Sequence, residues 1–391
     1  MKKFLEQQMD KMRPLFLPGG KFERLYPLHE ANETFLLTPA EVTHGAPHVR
    51  DQLDLKRTMI MVVLALIPAT LFGIFNAGYQ HNLAHNVANA AFLDHVLQGL
   101  LLCLPIIITS YAVGGLWEVL FAIVRKHPIN EGFLVSGLLF PLTLPPTIPL
   151  WQVAVGISFG IVIGKEIFGG TGFNVLNPAL TARAFLYFAY PAQISGDKVW
   201  ASGPDGWTGA TPLGIGMVPH AGETIIESLN NAGYTLKSMI IGLEPGSIGE
   251  TSVIACAIGA LILILAGVGS WRIMLGTVIG LIAGSFLMQA VGGANLKPLV
   301  DLPFWYHMAI GSFAFGAVFM ATDPVSAAAT NPGKWIYGFL IGFLILVIRV
   351  ANPAYPEAVM LAILFMNVMA PLVDHYVVQA HIKRRASHVY A

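Results

Sequence analysis

The chain has 391 residues, of which 55% are hydrophobic and only 11% are charged, against about 25% charged residues in a typical soluble domain. Its 22 basic and 22 acidic residues balance to zero net charge, so the composition excludes a soluble enzyme, whose surface needs more charge, and a nucleic-acid-binding protein, which needs a basic stripe. It indicates a polytopic membrane protein, whose outer surface lies in lipid.

The N-terminal segment, residues 1–57, is polar and carries no early apolar core of the signal-peptide type. Its apolar residues Leu5, Met9, Met12 and Phe16 recur at helical spacing, which predicts an amphipathic helix at the membrane surface. We therefore expect this segment to lie on the membrane rather than to cross it.

Ten apolar runs follow, and a run of about 20 apolar residues is long enough to cross the hydrocarbon layer. The predicted spans are approximately 58–78, 98–124, 132–145, 148–168, 173–190, 251–269, 272–291, 304–322, 334–350 and 356–376. The third run ends among Pro141, Pro145 and Pro146, and the eighth ends at Asp323-Pro324, so we expect broken helices at both places. The predicted fold is an all-α membrane protein with about ten transmembrane helices.

Lysines and arginines in the short loops predict the orientation of the chain. Basic residues crowd the segment before the first span, and they recur at Arg125-Lys126 and at Lys383-Arg384-Arg385. With ten spans, all of these lie on the cytoplasmic side, so segment 1–57 and tail 377–391 are predicted to be cytoplasmic. The polar loop 191–250 is predicted to lie outside.

The two halves of the membrane region share a layout. A proline-rich break followed by an apolar run at 140–151 (FPLTLPPTIPLW) is echoed at 321–335 (ATDPVSAAATNPGKW). Five spans separate the copies, and an odd number gives them opposite orientations, which is the pattern of an inverted repeat. We therefore divide the region into two five-helix repeats, 58–190 and 251–376. The alternative is that proline and glycine are simply common in membrane helices.

The segment 205–211 (DGWTGAT) is the most informative motif of the outer loop. Its threonine hydroxyls, on Thr208 and Thr211, lie close in sequence to the carboxylate of Asp205. A hydroxyl next to a carboxylate can accept a phosphoryl group, because the acid can bind the metal or proton that the transfer needs. The alternative, which the chemistry alone favours, is an ordinary Asx or ST turn.

This motif resembles the Asp-x-x-[Ser/Thr]-Gly-Ala-Thr acceptor of the flavin transferase that works outside the bacterial inner membrane. In proteins with that motif the final threonine carries FMN through a phosphoester bond. The resemblance therefore implies covalent FMN on Thr211, with Asp205, Thr208, Gly209 and Ala210 as the rest of the attachment motif. The predicted orientation places this loop on the side where the transferase acts.

Five further segments carry a resemblance along nearly the whole chain: NEGF (130–133), KEIFGGTGFNVLNPA (165–179), YPAQISG (190–196), PGSIGETS (245–252) and FMATDPV (319–325). They resemble the B-subunit family of the sodium-translocating NADH:quinone reductase. The resemblance implies an enzyme complex of six subunits in the bacterial inner membrane that oxidises NADH, reduces ubiquinone and exports sodium. It also implies that this subunit holds covalent FMN and non-covalent riboflavin, through which electrons reach ubiquinone.

The five partner subunits implied by the resemblance include another FMN subunit, iron–sulfur-bearing membrane subunits and an NADH/FAD subunit. That division fits this sequence, because Cys103 and Cys256 are too few for an iron–sulfur cluster. The nearest related family is that of the RnfD component of the Rnf electron-transport complex, and the long N-terminal stretch 21–44 favours the quinone reductase, because Rnf subunits begin close to their first span. A non-redox solute transporter or channel is the alternative from another class, and it leaves the motif at 205–211 unexplained.

The resemblance assigns riboflavin to the junction between the fourth and fifth spans. The candidate ligands there are Gly169, Gly170, Thr171, Asn174 and Asn177. Glycines let a ring approach the backbone, and amides can donate and accept hydrogen bonds at the edge of a flavin. The alternative is a helix-packing junction in which Asn177 caps a helix or bridges two helices.

Two glycines in the second span, Gly114 and Gly115, match a glycine pair in the quinone region of the family. In the family the N-terminal segment approaches this site as well. The alternatives are an ordinary contact between helices for the glycines and a partner-docking arm for segment 1–57.

Ionisable residues in membrane segments are costly and are therefore functional candidates. Glu118, Asp323 and Asp374 lie near the cytoplasmic ends of their spans and are candidate sodium ligands, because sodium prefers oxygen donors. The alternative for each acid is an interfacial position or an ion pair with a neighbouring subunit. Arg183 and Arg349 also lie within spans, where they could pair with these acids or with flavin.

Overall fold

The computed structural model describes residues 2–17, 19–36, 45–46, 55–87, 90–126, 129, 131–204, 207–218, 223–291, 298–352 and 357–389. Within these ranges the regular structure is helical throughout, which confirms the predicted all-α class. Six helical segments, among them Leu150–Phe168, are long and apolar enough to cross a membrane, and two shorter apolar helices, Gly132–Leu142 and Val253–Leu265, accompany them. The chain is therefore a multi-pass membrane protein.

The first half of the membrane region follows two N-terminal helices. The helices in chain order are α1 (Lys2–Phe16), α2 (Tyr26–Leu36), α3 (Leu55–Ala84), α4 (Phe92–Arg125), α5 (Gly132–Leu142), α6 (Leu150–Val162) and α7 (Pro178–Ala189). The predicted N-terminal helix is present as α1, and the third span is short, as the prolines predicted. α7 begins at Pro178 rather than near residue 173, because the side chain of Asn177 caps it and proline is favoured at a first helical position.

The loop between the two halves is folded into three short helices. These are α8 (Pro212–Met217), α9 (Ile225–Asn231) and α10 (Leu236–Ile241). Their apolar side chains pack with residues of the second half, including Leu299, Leu302 and Ile310. The loop is therefore fixed to the membrane region by its own small apolar core.

The second half contains α11 (Val253–Leu265), α12 (Trp271–Val291), α13 (Phe304–Ala309), α14 (Phe313–Phe315), α15 (Asn331–Ala351) and α16 (Val359–Val389). The eighth predicted span breaks earlier than expected, because Gly311 has a φ of +67° between α13 and α14. A π-helical turn, Gly316–Met320, then continues α14. The last helix continues to Val389, so the predicted tail 377–391 begins as helix.

The two halves pack in corresponding ways. The second and fourth spans contact each other in both halves, as α4 with α6 and as α12 with α15. The first spans of the two halves, α3 and α11, also contact each other, as do the fifth spans, α7 and α16. Such pairing is what a two-fold relation between the halves requires, and it supports the division into inverted repeats.

Glycines set the closest of these helix contacts. A Cβ atom on Gly280 of α12 would overlap the carbonyl oxygen of Phe339 on α15. A Cβ atom on Gly342 of α15 would overlap the carbonyl oxygen of Thr277 on α12. Because both helices lack side chains at the contact, their backbones can touch, which is the usual basis of helix association in a membrane.

Candidate functional site: two cavities and a threonine loop

Two cavities bring together residues that the sequence singled out. The large cavity has a volume of about 260 Å³ and is lined by Thr211 among others. The small cavity has a volume of about 60 Å³ and is lined by Asn174, Asn177 and Asp323 among others. α7 connects them, because Pro178 lines the small cavity and Tyr187 lines the large one. At about 1.5 Å per helical residue, the nine steps from Pro178 to Tyr187 span roughly 14 Å.

Thr211 lies at the start of α8 as its N-terminal cap. Its Oγ1 accepts a hydrogen bond from the amide of Gly214 at 3.1 Å, and Pro212 occupies the first helical position. This cap is the ordinary turn role that the sequence left open for the motif. It uses a lone pair of the hydroxyl and leaves the hydroxyl hydrogen uninvolved in the contact, so the cap and a phosphoryl-acceptor role are compatible.

The rest of the motif is held by three contacts. The ring of Trp207 covers Gly209, where a Cβ atom would overlap the indole. The amide of Gly209 donates to the carbonyl of Asp197 at 3.0 Å, and the hydroxyl of Tyr234 donates to the carbonyl of Ala210 at 3.1 Å. Trp207 explains why the motif has glycine at this position.

The two remaining members of the motif stand apart from these contacts. Thr208 is exposed and is absent from the lining of the large cavity. Asp205 lies outside the described residues. Of the two threonine hydroxyls in the motif, the one on Thr211 is therefore the one at the cavity.

Arg183 on α7 joins the two halves of the protein at the large cavity. Its guanidinium lies 3.4 Å from Glu250, just before α11, and 2.7 Å from Glu357, just before α16. Both acids line the large cavity. Burial raises the pKa of Glu250 to about 7, although the charge of Arg183 acts in the opposite direction. Sequence reasoning left the partner of Arg183 open, and the structure pairs it with two acids that were not candidates.

Two buried polar atoms of residues that line the large cavity have no hydrogen-bond partner among the described residues. They are Oε2 of Glu244 and Oγ of Ser312. Burial raises the pKa of Glu244 well above its usual range, which favours the protonated form of this acid. Sequence reasoning missed both residues, although Glu244 directly precedes the segment 245–252 that carried part of the resemblance.

Arg349 is fully buried and holds the break in the eighth span. It donates to the carbonyl of His307 at 2.7 Å and to the carbonyl of Ile310 at 3.0 Å. These carbonyls lie at the end of α13, where a helix has no further backbone donors. Arg349 therefore fixes the backbone that brings Gly311 and Ser312 to the large cavity.

The small cavity collects three of the five riboflavin candidates: Thr171, Asn174 and Asn177. The hydroxyl of Thr171 is buried without a hydrogen-bond partner among the described residues. The side-chain oxygen of Asn177 accepts from two amides of α7, and the side chain of Asn174 donates to the carbonyl of Leu176 at 3.0 Å. Asn177 thus has the capping role that was the structural alternative, and its position on the cavity leaves the ligand role open.

The other two riboflavin candidates, Gly169 and Gly170, are absent from the lining of the small cavity. Their φ angles are +124° and +96°, in the region that favours glycine over residues with a Cβ atom. These glycines therefore serve the turn between α6 and α7, and the structure gives no contact that would make them ligands.

Of the three sodium candidates, Asp323 lines the small cavity. Its carboxylate accepts from the amide of Val325 at 3.3 Å and from the hydroxyl of Ser326 at 2.7 Å. Residues with known placement contain no group of three or more His, Cys, Asp or Glu side chains arranged to hold a metal ion. A sodium site at Asp323 would therefore use hydroxyl, amide or carbonyl oxygens as further ligands.

The other two acids have structural partners. Glu118 is buried and lies 2.5 Å from the Nζ atom of Lys165. Asp374 accepts from the amide of Ala329 at 2.6 Å and from the hydroxyl of Thr330, at the start of α15. The ion pair of Glu118 lies within the chain rather than with a neighbouring subunit, and Asp374 binds the backbone and the hydroxyl at the start of α15.

The quinone candidates Gly114 and Gly115 lie on α4 against α5. A Cβ atom on Gly114 would lie 2.5 Å from the ring of Phe133, so this glycine serves the contact between helices. Glu118 lies one helical turn further along α4. α2 of the N-terminal segment also contacts α4, which places that segment beside the helix that carries the glycine pair.

Comparison with known proteins identifies the family of the chain. The family described as "NQR2, RnfD, RnfE family" matches residues 42–383. A protein of Stutzerimonas stutzeri, named as the B subunit of a Na(+)-translocating NADH-quinone reductase, is 53% identical over 96% of this chain and 97% of its own length. Proteins of the same name from Pseudomonas aeruginosa and Klebsiella pneumoniae are each 50% identical, over 97% and 98% of this chain and 98% and 99% of their own lengths. The chain therefore belongs to the NQR2, RnfD, RnfE family, alongside the B subunits of Na(+)-translocating NADH-quinone reductases.

Proposed function

We propose that this protein is the membrane flavoprotein subunit of a sodium-pumping NADH:ubiquinone oxidoreductase and that it carries FMN covalently on Thr211. The observation that carries the proposal is the placement of Thr211. This threonine, the last residue of the acceptor motif, lines the 260 Å³ cavity, whereas Thr208 is exposed away from it.

The chemistry of the large cavity suits the flavin part of FMN. Its volume of about 260 Å³ lies just below the range of roughly 300–1,000 Å³ that holds small organic ligands. The buried, unpartnered oxygens of Glu244 and Ser312 are groups that a polar heterocycle could satisfy. Bound there, FMN would supply the capacity to carry one or two electrons. The chain supplies the anchor at Thr211.

The small cavity is the proposed riboflavin site, with Thr171, Asn174 and Asn177 as the residues that would hold it. Thr171 supports this assignment, since its hydroxyl is buried and unpartnered among the described residues. At about 60 Å³ the cavity is smaller than a flavin ring, so binding requires the junction between α6 and α7 to open. The glycine turn at Gly169 and Gly170 is a suitable place for that movement.

Ubiquinone is proposed to bind near Gly114 and Gly115, supported by the position of α2 against α4. Sodium is proposed to bind at Asp323, which lines a cavity, in preference to Glu118 and Asp374.

The orientation proposed from the basic loops places both termini and the small cavity at the cytoplasmic face of a bacterial inner membrane. The large cavity and the Thr211 loop then face outward, where the flavin transferase acts. Five other subunits complete the proposed complex.

The attachment of FMN is tested by ultraviolet fluorescence of the denatured subunit on a gel. We expect a fluorescent band in the wild-type protein, no band in Thr211→Ala, and a band of wild-type intensity in Thr235→Ala. Thr235 is a matched control because it is an exposed threonine that caps another short helix of the same loop, α10, and lies outside the motif. A band that survives Thr211→Ala, or a wild-type subunit without fluorescence, refutes the covalent flavin. The second result is the one expected of a non-redox transporter.

A further inference from the structure

The two unpartnered groups at the large cavity are both deeply buried, and one comes from the loop between the two halves and the other from the second half. Glu244 and Ser312 are each 4% exposed. Glu244 lies between α10 and α11, and Ser312 lies in the break of the eighth span. Leaving a buried polar atom without a hydrogen-bond partner lowers the stability of the folded protein. A bound group that hydrogen-bonds these atoms could restore that stability.

Both groups are held in position by neighbouring contacts. The side chain of Asn76 on α3 donates to the carbonyl of Glu244 at 2.8 Å. Ser312 follows Gly311, whose backbone is fixed by the bonds from Arg349 to the carbonyls of His307 and Ile310. These contacts fix the backbone beside two residues that line the cavity, and a fixed backbone is what a preorganised binding site requires.

The other acids at the large cavity are already engaged or accessible to water. Glu250 and Glu357 pair with Arg183, and Asp197 is exposed. Glu244 differs from them because it is buried, has an unpartnered oxygen and has no cation within ion-pair distance among the described residues. Burial raises its pKa well above the usual range, and a neutral carboxyl group can donate one hydrogen bond and accept another.

Building on the proposed function, we propose that the isoalloxazine ring of the flavin attached at Thr211 inserts into the large cavity and that Glu244 and Ser312 hydrogen-bond its pyrimidine edge. That edge presents a carbonyl, an N–H and a second carbonyl in a row. The carboxyl group of Glu244 donates to one carbonyl and accepts from the N–H, and the hydroxyl of Ser312 donates to the other carbonyl. Both unpartnered groups are then satisfied by one ligand.

The test uses the assembled membrane complex and four variants. Glu244→Leu and Ser312→Ala remove the proposed hydrogen bonds, and Glu244→Gln keeps one donor and one acceptor in the same shape. Asp197→Asn is the control, because it changes an exposed acid of the same cavity. The flavin on Thr211 is followed by subtracting the signal of the Thr211→Ala complex from each spectrum. The measurements are its reduction potential and the quenching of its fluorescence by iodide.

We expect Glu244→Leu and Ser312→Ala to retain the fluorescent band on a gel but to free the ring. Iodide quenching should rise at least threefold, and the ratio of reduced to oxidised flavin at a fixed potential should fall about tenfold, equivalent to 59 mV for one electron. Glu244→Gln and Asp197→Asn should stay within twofold of wild type.

Unchanged quenching and potential in Ser312→Ala and Glu244→Leu, with the band intact, overturn the inference and leave covalent attachment standing. If Glu244→Leu fails to assemble, Ser312→Ala decides by the same criteria. A wild-type subunit without a band refutes the proposed function itself, and this inference with it.

Discussion

The buried ion pair between Glu118 and Lys165 allows one sodium candidate to be tested through stability. Nζ of Lys165 lies 2.5 Å from Oε1 of Glu118, and the two side chains are 3% and 4% exposed. Because both charges are out of water, replacing one partner leaves the other uncompensated, at a cost of about 3–5 kcal/mol. Replacing both partners leaves no charge of the pair in the protein, so the double variant should recover most of that loss.

The assay is the melting temperature of the solubilised complex, followed through this subunit. We expect Glu118→Gln and Lys165→Met each to lower it by roughly 6–10 °C, taking about 2 °C per kcal/mol for a large chain. The double variant should lie within about 2 °C of wild type. The exposed Lys126, at the end of the same helix, supplies the control Lys126→Asn, which should cause no shift.

The reasoning is refuted if the two single losses simply add in the double variant, since independent sites add and coupled sites do not. The same variants test whether Glu118 is a sodium ligand. Because Lys165 already neutralises Glu118, a stable double variant should keep the sodium dependence of quinone reduction. If the double variant is stable but its quinone reduction no longer depends on sodium, Glu118 is a sodium ligand after all.

Three further outcomes follow from the structure. Gly280→Ala should destabilise the complex by about 1–3 kcal/mol, because the added Cβ atom would overlap the carbonyl of Phe339. The measurement is heat inactivation, and unchanged stability contradicts the close contact between α12 and α15. Burial raises the pKa of Glu250 from 4.5 to about 7, so the stability linked to its protonation is present below pH 4.5 and is lost as the pH rises through 7. That loss of stability is about 3 kcal/mol. Glu250→Gln should remove this dependence of the melting temperature on pH. If the melting temperature of Glu250→Gln falls with pH as steeply as that of wild type, Glu250 is not the group responsible. Asp323→Asn should raise the sodium concentration for half-maximal quinone reduction at least tenfold, with Ser326→Ala giving a smaller rise, and an unchanged value removes Asp323 from the pathway.

Much of the fold could be predicted because membrane segments are encoded locally. Each of the ten predicted apolar runs contains a helix, and the prolines at 141, 145 and 146 correctly predicted the short third span. The break at Gly311 was missed because a single glycine in an apolar run has many ordinary uses. The extension of α16 beyond residue 376 was missed because polar residues end a hydropathy signal without ending a helix.

The candidate site was predictable only where a motif was contiguous. Thr211 belongs to seven consecutive residues, and the structure places it at a cavity. Glu244 and Ser312 are 68 positions apart and carry no local signal, because an acid before a glycine-rich segment and a serine in an apolar run are both common. Their shared feature, an unpartnered oxygen beside one cavity, exists only after folding.

The sequence alone determined that this protein spans a membrane, that its third span is short and which threonine ends the motif at 205–211, because hydropathy, proline and contiguous motifs act over neighbouring residues. Only the tertiary structure decided that Arg183 pairs with Glu250 and Glu357, 67 and 174 positions away, and that Glu118 belongs to Lys165. Such pairings depend on the depth and rotation of each helix in the bundle. Charged residues make up only 11% of the chain, and local composition cannot predict which of them form ion pairs. Each pair affects stability, because a buried charge without a partner is costly.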